Sequence, residues 1–150
     1  MLSADANDAT KPSDANLTAT NGRPSPAEYR AAAALRAGLR QFSQASDRVL
    51  QKHKLTPERY ELLLAIKSTE HTNERATVSE LTAALGVADS SVTQLVRRVY
   101  DPCLLYREVT TSDARVRYLR LTKLGERQLA KSVAGLREER AQLRSVLNQP

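Results

Sequence analysis

The stretch VSELTAALGVADSSVTQLVRRV, residues 78–99, decides the fold because it encodes two short helices separated by a tight turn. Thr77 precedes the first helix and Glu80 follows three residues later, which is the spacing of a capping box. Gly86 ends this helix, since glycine readily adopts the left-handed conformation that follows a helix C-terminus. The second helix is predicted over Asp89–Tyr100, with its first residue as the cap. The stretch therefore predicts a helix–turn–helix.

The second helix of this pair has two different faces. At 100° per residue, Val92, Leu95, Val96 and Val99 fall on one side and should pack inward. The opposite side carries hydroxyl, amide and guanidinium groups that can donate hydrogen bonds to phosphates and base edges. The alternative is an ordinary solvated face, although such a face usually carries Glu and Lys pairs. The candidate DNA-contacting residues of this helix are Ser90, Ser91, Thr93, Gln94, Arg97 and Arg98.

A basic hairpin is predicted directly after the second helix. Its strand-like runs are Leu104–Val109 and Arg115–Leu121, and the turn-rich segment Thr110–Ala114 joins them. Beside a recognition helix, such a hairpin can reach the neighbouring minor groove, where narrow A·T-rich DNA attracts arginine. Arg115 and Arg117 are therefore added to the candidate DNA contacts. The alternative is a solvated edge strand that uses its charge to prevent aggregation. The basic residues of this region are Arg115, Arg117, Arg120 and Lys123.

Longer helices are predicted on both sides of this unit. The first, Pro26–Lys52, carries an apolar stripe. The last, Thr122–Leu147, repeats apolar residues at about seven-residue intervals, as in a helix that pairs with another helix. A shorter helix after Thr56 is expected to bury Tyr60, Leu63, Leu64 and Ile66, and Ser68–Arg75 is expected to form a loop. The predicted fold is mostly α with a small β-hairpin wing, a winged helix-turn-helix with long N- and C-terminal dimerisation helices.

The composition agrees with an aliphatic helical core and a polyanionic partner. The chain is 41% hydrophobic but only 4% aromatic, and its net charge of +6 includes an N-terminal segment with more acids than bases. A basic body favours nucleic acid or a membrane surface as the partner. Residues 1–25 are expected to form a disordered tail, and residues 26–150 the winged helix-turn-helix domain with its dimerisation helices. No stretch approaches the ~20 apolar residues of a membrane span, and no secretory signal is recognisable, so we expect a cytoplasmic protein.

Catalytic and metal-binding patterns are not found in the sequence. No GxSxG, P-loop, GxGxxG or HExxH motif is present, and a single cysteine excludes an intrachain disulfide. We therefore expect no enzyme, no bound metal and no cofactor. Cys103 is a candidate redox sensor, because the neighbouring arginines would favour a thiolate. The favoured alternative is a small residue that packs at the base of the wing.

Three stretches together resemble a known family. LTPERYELLLAI, VSELTAALGVADSSVTQLVRRV and TSDARVRYLRLTKLGERQL are similar, in this order and spacing, to the signature regions of MarR-family winged helix-turn-helix transcriptional regulators, over about residues 28–136. The most specific part is Asp113-x-Arg115 followed by Leu121–Thr122 and Gly125. The resemblance implies a homodimer that binds a pseudo-palindromic operator, with Arg115 at the wing tip. It also implies repression relieved by a small phenolic or otherwise anionic effector.

The chain departs from the family pattern at several positions. Ala88 stands where such regulators usually have serine, so helix capping is expected to shift to Asp89. Arg97 stands where an aspartate usually tethers the wing arginine, and Cys103 stands where glycine is usual. For the effector, Phe42, His53 and Tyr60 are candidate lining residues.

Three functions are consistent with these patterns. The first is a sequence-specific, double-stranded DNA-binding transcription regulator, a repressor released by a small ligand and acting as a homodimer. The second is a winged-helix module used for protein–protein interaction. The third is a non-specific architectural nucleic-acid binder, whose binding would be indifferent to sequence and very sensitive to salt.

Overall fold

The computed structural model describes residues 22–69, 75–110, 112 and 115–148. Within this range the chain forms mostly helices and a small antiparallel sheet, so the predicted winged helix-turn-helix fold is confirmed. Most of the predicted tail, residues 1–21, lies outside the described residues, and the boundary at residue 26 stays a prediction. The elements are α1 (Pro26–Lys52), α2 (Pro57–Ser68), β1 (Arg75–Ala76), α3 (Val78–Leu85), α4 (Asp89–Val99), β2 (Leu105–Val109), β3 (Arg117–Leu121), α5 (Lys123–Gly135) and α6 (Arg137–Leu147).

Side-chain caps fix where the first helices begin. The Ser25 hydroxyl accepts a hydrogen bond from the Glu28 N–H, and the Glu28 carboxylate accepts one from the Ser25 N–H. This backbone hydrogen bond is the main reason that the pKa of Glu28 is lowered. The Thr56 hydroxyl caps α2 by accepting from the Arg59 N–H at 3.2 Å. These caps satisfy backbone donors that a helix otherwise leaves without partners.

Helix α2 is the centre of the core. Leu62, Leu63 and Ile66 have no exposed surface and pack against α3, α4 and the sheet. The expectation that Leu64 faces inward is wrong, because its side chain is 39% exposed. At 100° per residue Leu64 lies on the opposite side of the helix from the middle of the buried arc. The apolar run LLLAI, residues 62–66, does not by itself show which leucine is on the outer side.

The sheet contains one strand more than the predicted hairpin. β2 and β3 pair antiparallel, with Leu105 opposite Leu121, and β1 joins the free edge of β3 to give the order β1-β3-β2. Ala76 of β1 is fully buried. The end of the predicted loop Ser68–Arg75 is therefore part of this strand, and residues 70–74 lie outside the described residues. A strand of two residues is too short to produce a recognisable alternation.

The predicted last helix is interrupted at Leu136 and forms two helices, α5 and α6. Leu136 has φ −103° and ψ 15°, and its side chain is only 1% exposed. At Gly135 a Cβ would lie 2.9 Å from the Val49 Cγ1, so α5 approaches α1 closely where it ends. The Arg140 guanidinium donates to the Val133 carbonyl at 2.7 Å across the break. α6 then packs on α1 of the same chain, so part of the seven-residue rhythm belongs to the protomer's own core.

Candidate nucleic-acid interface

The angle between α3 and α4 is held by a polar contact across the turn. The Thr82 hydroxyl donates to the Asp89 carboxylate at 2.6 Å, and Gly86 ends α3 with a φ of 66°. The predicted cap at Asp89 is wrong: Ala88 has the cap position, and no side chain caps α4. Because the Asp89 carboxylate is bonded to α3, it does not close back on its own helix. Its negative charge lies in the first turn, where the helix dipole favours it.

Helix α4 has the two faces that the sequence predicts. Val92, Val96 and Val99 are at most 4% exposed and belong to the core, and Leu95 is partly buried against it. All the predicted DNA-contacting side chains of this helix are exposed: Ser90, Ser91, Thr93, Gln94, Arg97 and Arg98. This face consists of hydrogen-bond donors, and its amide and hydroxyl groups also accept. It therefore has the chemistry needed to read base edges.

The C-terminal end of α4 is attached to α2. The Arg59 Nε donates to the Val99 carbonyl at 3.3 Å, and its Nη1 lies 3.7 Å from the Asp101 carboxylate. Arg98 also turns toward α2 and donates to the Glu58 carboxylate at 3.2 Å, where both side chains are more than half exposed. A bridge this exposed contributes at most about 1 kcal/mol. Arg98 is therefore on the flank of the α4 face, and Arg97 and Gln94 are nearer to its middle.

The base of the wing is joined to the start of α5 by the residues of the family-like motif. The Thr122 N–H donates to the Leu104 carbonyl at 2.9 Å, and the Thr122 hydroxyl caps α5 by accepting from the Gly125 N–H at 3.1 Å. A Cβ on Gly125 would lie 2.1 Å from the Leu104 carbonyl oxygen, so only glycine fits this contact. The Leu121–Thr122 and Gly125 pattern thus has a structural reason, which is the attachment of the wing to α5.

Two of the arginines in the sheet are held by a shared carboxylate. Glu108 Oε2 lies 3.6 Å from Arg75 and 3.5 Å from Arg120, so one acid on β2 is paired with bases on β1 and β3. The Arg75 guanidinium also lies 4.0 Å from the centre of the Tyr118 ring. For Arg120 the sequence left open a DNA contact or a solvated edge strand, and the structure shows it tied to Glu108 across the sheet.

Three other arginines converge on a cleft between α4 and the wing. Arg97 from α4, Arg107 from β2 and Arg117 from β3 line a cavity of about 260 Å³ whose remaining lining includes no acidic residue. The Arg107 guanidinium also lies 5.2 Å from the centre of the Tyr100 ring. Three positive charges around one cavity attract an anion, and arginine binds phosphate through a planar pair of donors. We call this the arginine cleft.

Arg107 is missing from the residues that the sequence analysis assigned to DNA. It lies on β2, and the register places it opposite Leu119 of β3. Alternation along β2 could have indicated it, because Arg107 lies two positions from Val109 and residues two apart on a strand share a face. That alternation is imperfect in the sequence, so the face could not be assigned from it.

Comparison with solved structures gives a consistent result. AbsC of Streptomyces coelicolor, described as a MarR family transcriptional regulator, is 25% identical; the match covers 81% of this chain and 83% of AbsC, with a TM-score of 0.65. The transcriptional regulator Tm0710 of Thermotoga maritima is 27% identical over 83% of this chain and 82% of its own, with a TM-score of 0.52. The chain has the winged-helix fold of the MarR family. No family model and no curated protein matches the sequence.

A structure solved together with DNA is also among the similar ones. The S. aureus MepR–DNA complex is 24% identical to this chain, with coverage of 75% of this chain and 82% of MepR and a TM-score of 0.57. The MarR resemblance drawn from the sequence motifs is thus confirmed at the level of fold. Within the described residues, no helix combines the length and apolarity needed to cross a bilayer.

The tip of the wing is described only in part. Arg115 is exposed at the start of the second strand region, and the strand itself begins two residues later than predicted, at Arg117. Thr111, Asp113 and Ala114 lie outside the described residues, so the predicted Asp113–Arg115 motif is not tested. The first strand begins at Leu105 rather than Leu104, whose carbonyl instead accepts from Thr122.

The remaining candidate residues are not brought together in one protomer. Phe42 lines a groove between α1 and α6, and His53 lines a separate depression between α1 and α5. Tyr60 lines neither and is half-buried against the core, and this burial raises the pKa of its hydroxyl. Cys103 is an exposed free thiol in the turn before β2. No cluster of three or more metal-binding side chains occurs in the part of the chain that the structure describes.

Proposed function

We propose that this chain is a transcription regulator that binds double-stranded DNA in a sequence-specific manner. The observation that carries the proposal is the arginine cleft beside the donor-rich face of α4. In helix-turn-helix proteins the second helix of the pair enters the major groove, and that helix is α4 here. The similarity in fold to the MarR family regulator AbsC and to the MepR–DNA complex supports the same function. We infer a regulator rather than an enzyme because the similar proteins are described as transcriptional regulators.

The roles of the side chains follow from their positions. Gln94, near the middle of the exposed face of α4, reads a base edge, as glutamine does through two hydrogen bonds to adenine. Arg97, Arg107 and Arg117 hold the sugar–phosphate backbone that passes between α4 and the wing. This changes the role expected for Arg97 from base contact to phosphate contact, because its side chain lines the cleft with two other arginines. Arg115 at the wing tip contacts the minor groove and its phosphates.

We further propose that the regulator acts as a homodimer on a pseudo-palindromic operator. In one protomer Leu35 and Leu39 of α1 are 36% and 41% exposed, and Leu147 of α6 is 56% exposed. The first two lie one turn apart and share one side of α1. A second copy of this chain would cover these leucines with its own α1 and α6.

The dimer proposal is tested with surface residues of α1. The double substitution Leu35→Glu and Leu39→Glu should give monomers in analytical ultracentrifugation and leave the fold intact, because both side chains are exposed in the protomer. Leu136 is unsuited to this test, since it is 1% exposed within its own protomer. The control is Ala33→Glu with Gln44→Glu, on the opposite side of the helix, which should remain dimeric. A Leu35→Glu, Leu39→Glu protein that stays dimeric would show that the interface lies elsewhere.

The proposed output is repression that a small phenolic or otherwise anionic effector relieves. The MarR-type fold supports this part, and Phe42, His53 and Tyr60 are no longer offered as one shared site. Salicylate serves as the first probe. Any ligand that prefers the native protein raises its thermal stability, so the unfolding midpoint should rise and the affinity for DNA should fall. Cytoplasmic localisation stays a prediction.

The experiment that tests DNA binding uses the DNA upstream of the protein's own gene. Fluorescence anisotropy should show tight binding to one segment. A scrambled duplex of equal length should bind at least about 10³-fold more weakly. Equal binding to both duplexes, with a steep salt dependence, would indicate a non-specific architectural protein. No binding to either would favour a protein–protein interaction module.

A further inference from the structure

A second basic surface lies outside the elements that form the proposed DNA interface. It is a depression of about 220 Å³ between the end of α1 and the first half of α5, which we call the α1–α5 depression. Leu124 is its one apolar lining residue. The others are Lys52, His53 and Lys54 from the end of α1 and Arg127, Gln128 and Lys131 from α5.

The positive charge of this depression is not balanced. No acidic residue lines it, and none of the ion pairs within the described residues contains Lys52, Lys54, Arg127 or Lys131. Lys52 ends α1 and Lys54 follows it, and the helix dipole favours cations at this end of a helix. That reason does not apply to Arg127, which lies in the first half of α5, nearer the positive end of the dipole. The pair formed by Arg127 and Lys131, one turn apart, is also repulsive.

The backbone at Lys54 provides a second observation. Lys54 has a φ of 58°, the one positive φ of a non-glycine residue among those described. It follows the end of α1, at the position where glycine is usual because a Cβ is unfavourable there. Side chains held in such conformations are concentrated at functional sites. Here the unfavourable conformation puts a lysine at the rim of the basic depression.

Gln128 adds a third. Its amide oxygen is buried and has no hydrogen-bond partner. The oxygen and nitrogen of a side-chain amide exchange places when the group turns by 180°, and only their hydrogen-bond partners distinguish the two orientations. With the amide turned by 180°, the NH₂ group takes this buried position, so an unsatisfied donor lies beside the cations of the depression.

We propose that the α1–α5 depression binds a small phosphorylated metabolite through its phosphate groups. Several cations from two elements, with almost no apolar lining, suit a compact oxyanion better than an aromatic acid. The volume is also below the roughly 300–1,000 Å³ of sites for larger organic ligands. The ligand would bridge α1, which carries the proposed dimer contact, and α5, which continues from the wing.

Phosphates of DNA are the other source of the same chemistry. We favour a free ligand because the depression is formed by α1 and α5, whereas the donor-rich face and the arginine cleft belong to α4, β2 and β3. The two sources differ in a testable way, since a DNA contact at this surface would make small anions compete with DNA for it.

Inorganic pyrophosphate is the probe, measured by isothermal titration calorimetry on the full chain without DNA. We expect one pyrophosphate per chain and a rise of the unfolding midpoint in its presence. The double variant Arg127→Gln and Lys131→Gln should bind at least tenfold more weakly. The control is Arg36→Gln with Arg40→Gln, an exposed pair of the same charge and spacing. This pair lies about 18 Å or more along α1 from Lys52, at the near end of the depression. The control should bind pyrophosphate as the parent does. No binding, or equal losses in both double variants, overturns the proposal.

Lys54→Gly separates binding from stability. Glycine adopts the left-handed conformation without the steric cost of a Cβ, so the variant should be no less stable than the parent, yet it should bind pyrophosphate several-fold more weakly. A variant that binds pyrophosphate unchanged contradicts the assigned role of Lys54. In the DNA arm, the Arg127→Gln, Lys131→Gln variant should keep its affinity for DNA. A loss there equal to the loss for pyrophosphate, together with competition between the two, would assign the depression to DNA. The DNA affinity of the parent is measured first. If the parent does not bind DNA, the proposed function fails, whereas the pyrophosphate measurements still test the depression.

Discussion

Replacing Arg117 by Gln removes one positive charge from the arginine cleft and leaves the sheet in place. Arg117 is exposed, lines the cleft with Arg97 and Arg107, and ends the pairing of β3 with β2 opposite Val109. None of its described contacts holds the wing together. The substitution should therefore act on DNA affinity and leave the unfolding midpoint nearly unchanged.

The magnitude follows from one phosphate contact in each protomer. A hydrogen bond to a charged group contributes about 1.5 kcal/mol or more, so a dimer with two such contacts should lose about 3 kcal/mol, on the order of 100-fold in affinity at low salt. The loss of two neutralised phosphates also reduces the slope of log affinity against log salt by about 1.8. Between 50 and 200 mM salt, the parent should thus lose about tenfold more affinity than the variant.

Arg120→Gln is the matched control, three residues along the same strand. Arg120 is paired with Glu108 at 3.5 Å, and Arg75 remains on the same oxygen at 3.6 Å when Arg120 is removed. The control should lose less than about 1 kcal/mol of stability and keep the salt slope of the parent. Fluorescence anisotropy over a salt series compares the two variants with the parent. Equal reductions of slope for both arginines would refute the distinction between the cleft and the ion-paired sheet.

Two further predictions concern stability. Gly125→Ala puts a Cβ 2.1 Å from the Leu104 oxygen, and this overlap should cost about 3 kcal/mol of stability, or about 6–12 °C of melting temperature. The control is Gly86→Ala, where only the φ of 66° is unfavourable and the expected cost is about 1–2 kcal/mol. Equal losses of the two variants in thermal unfolding would contradict the close contact at Gly125. Burial raises the pKa of Tyr60, so above the ordinary tyrosine pKa of about 10 the unfolded chain ionises first and the free energy of unfolding falls as pH rises. In denaturant titrations between pH 9 and 11, the free energy of unfolding of Tyr60→Phe should fall less steeply than that of the parent. Parallel curves for the two proteins would exclude this contribution.

The sequence predicts those parts of the fold that local contacts determine. The starts of α1, α2 and α3 are correct because Ser25, Thr56 and Thr77 bond to backbone groups only three residues away. The same reasoning fails at α4, since the Asp89 carboxylate is bonded by Thr82 from another helix. It also fails after Gly135, where the close approach to α1 separates α5 from α6, and no local pattern records that approach.

The site follows the same division. The exposed face of α4 is predicted correctly because a helix repeats every 3.6 residues and its apolar positions are unambiguous. The arginines of the wing could not be sorted from their sequence alone. Arg117 and Arg120 are both basic residues of one strand, and only the position of Glu108 on the neighbouring strand distinguishes them. Arg107 joins the cleft through the same pairing of strands.

The central claim is that the exposed face of α4 reads DNA sequence, and Gln94→Ala tests it most directly. Affinities are measured by fluorescence anisotropy for the parent and the variant, each with the specific upstream duplex and with its scrambled counterpart, over a salt series. The account predicts a loss of about 1–3 kcal/mol per half-site on the specific duplex, less than about twofold change on the scrambled one, and an unchanged salt slope, because no phosphate contact is removed. Equal losses on both duplexes would contradict the claim that this helix reads sequence.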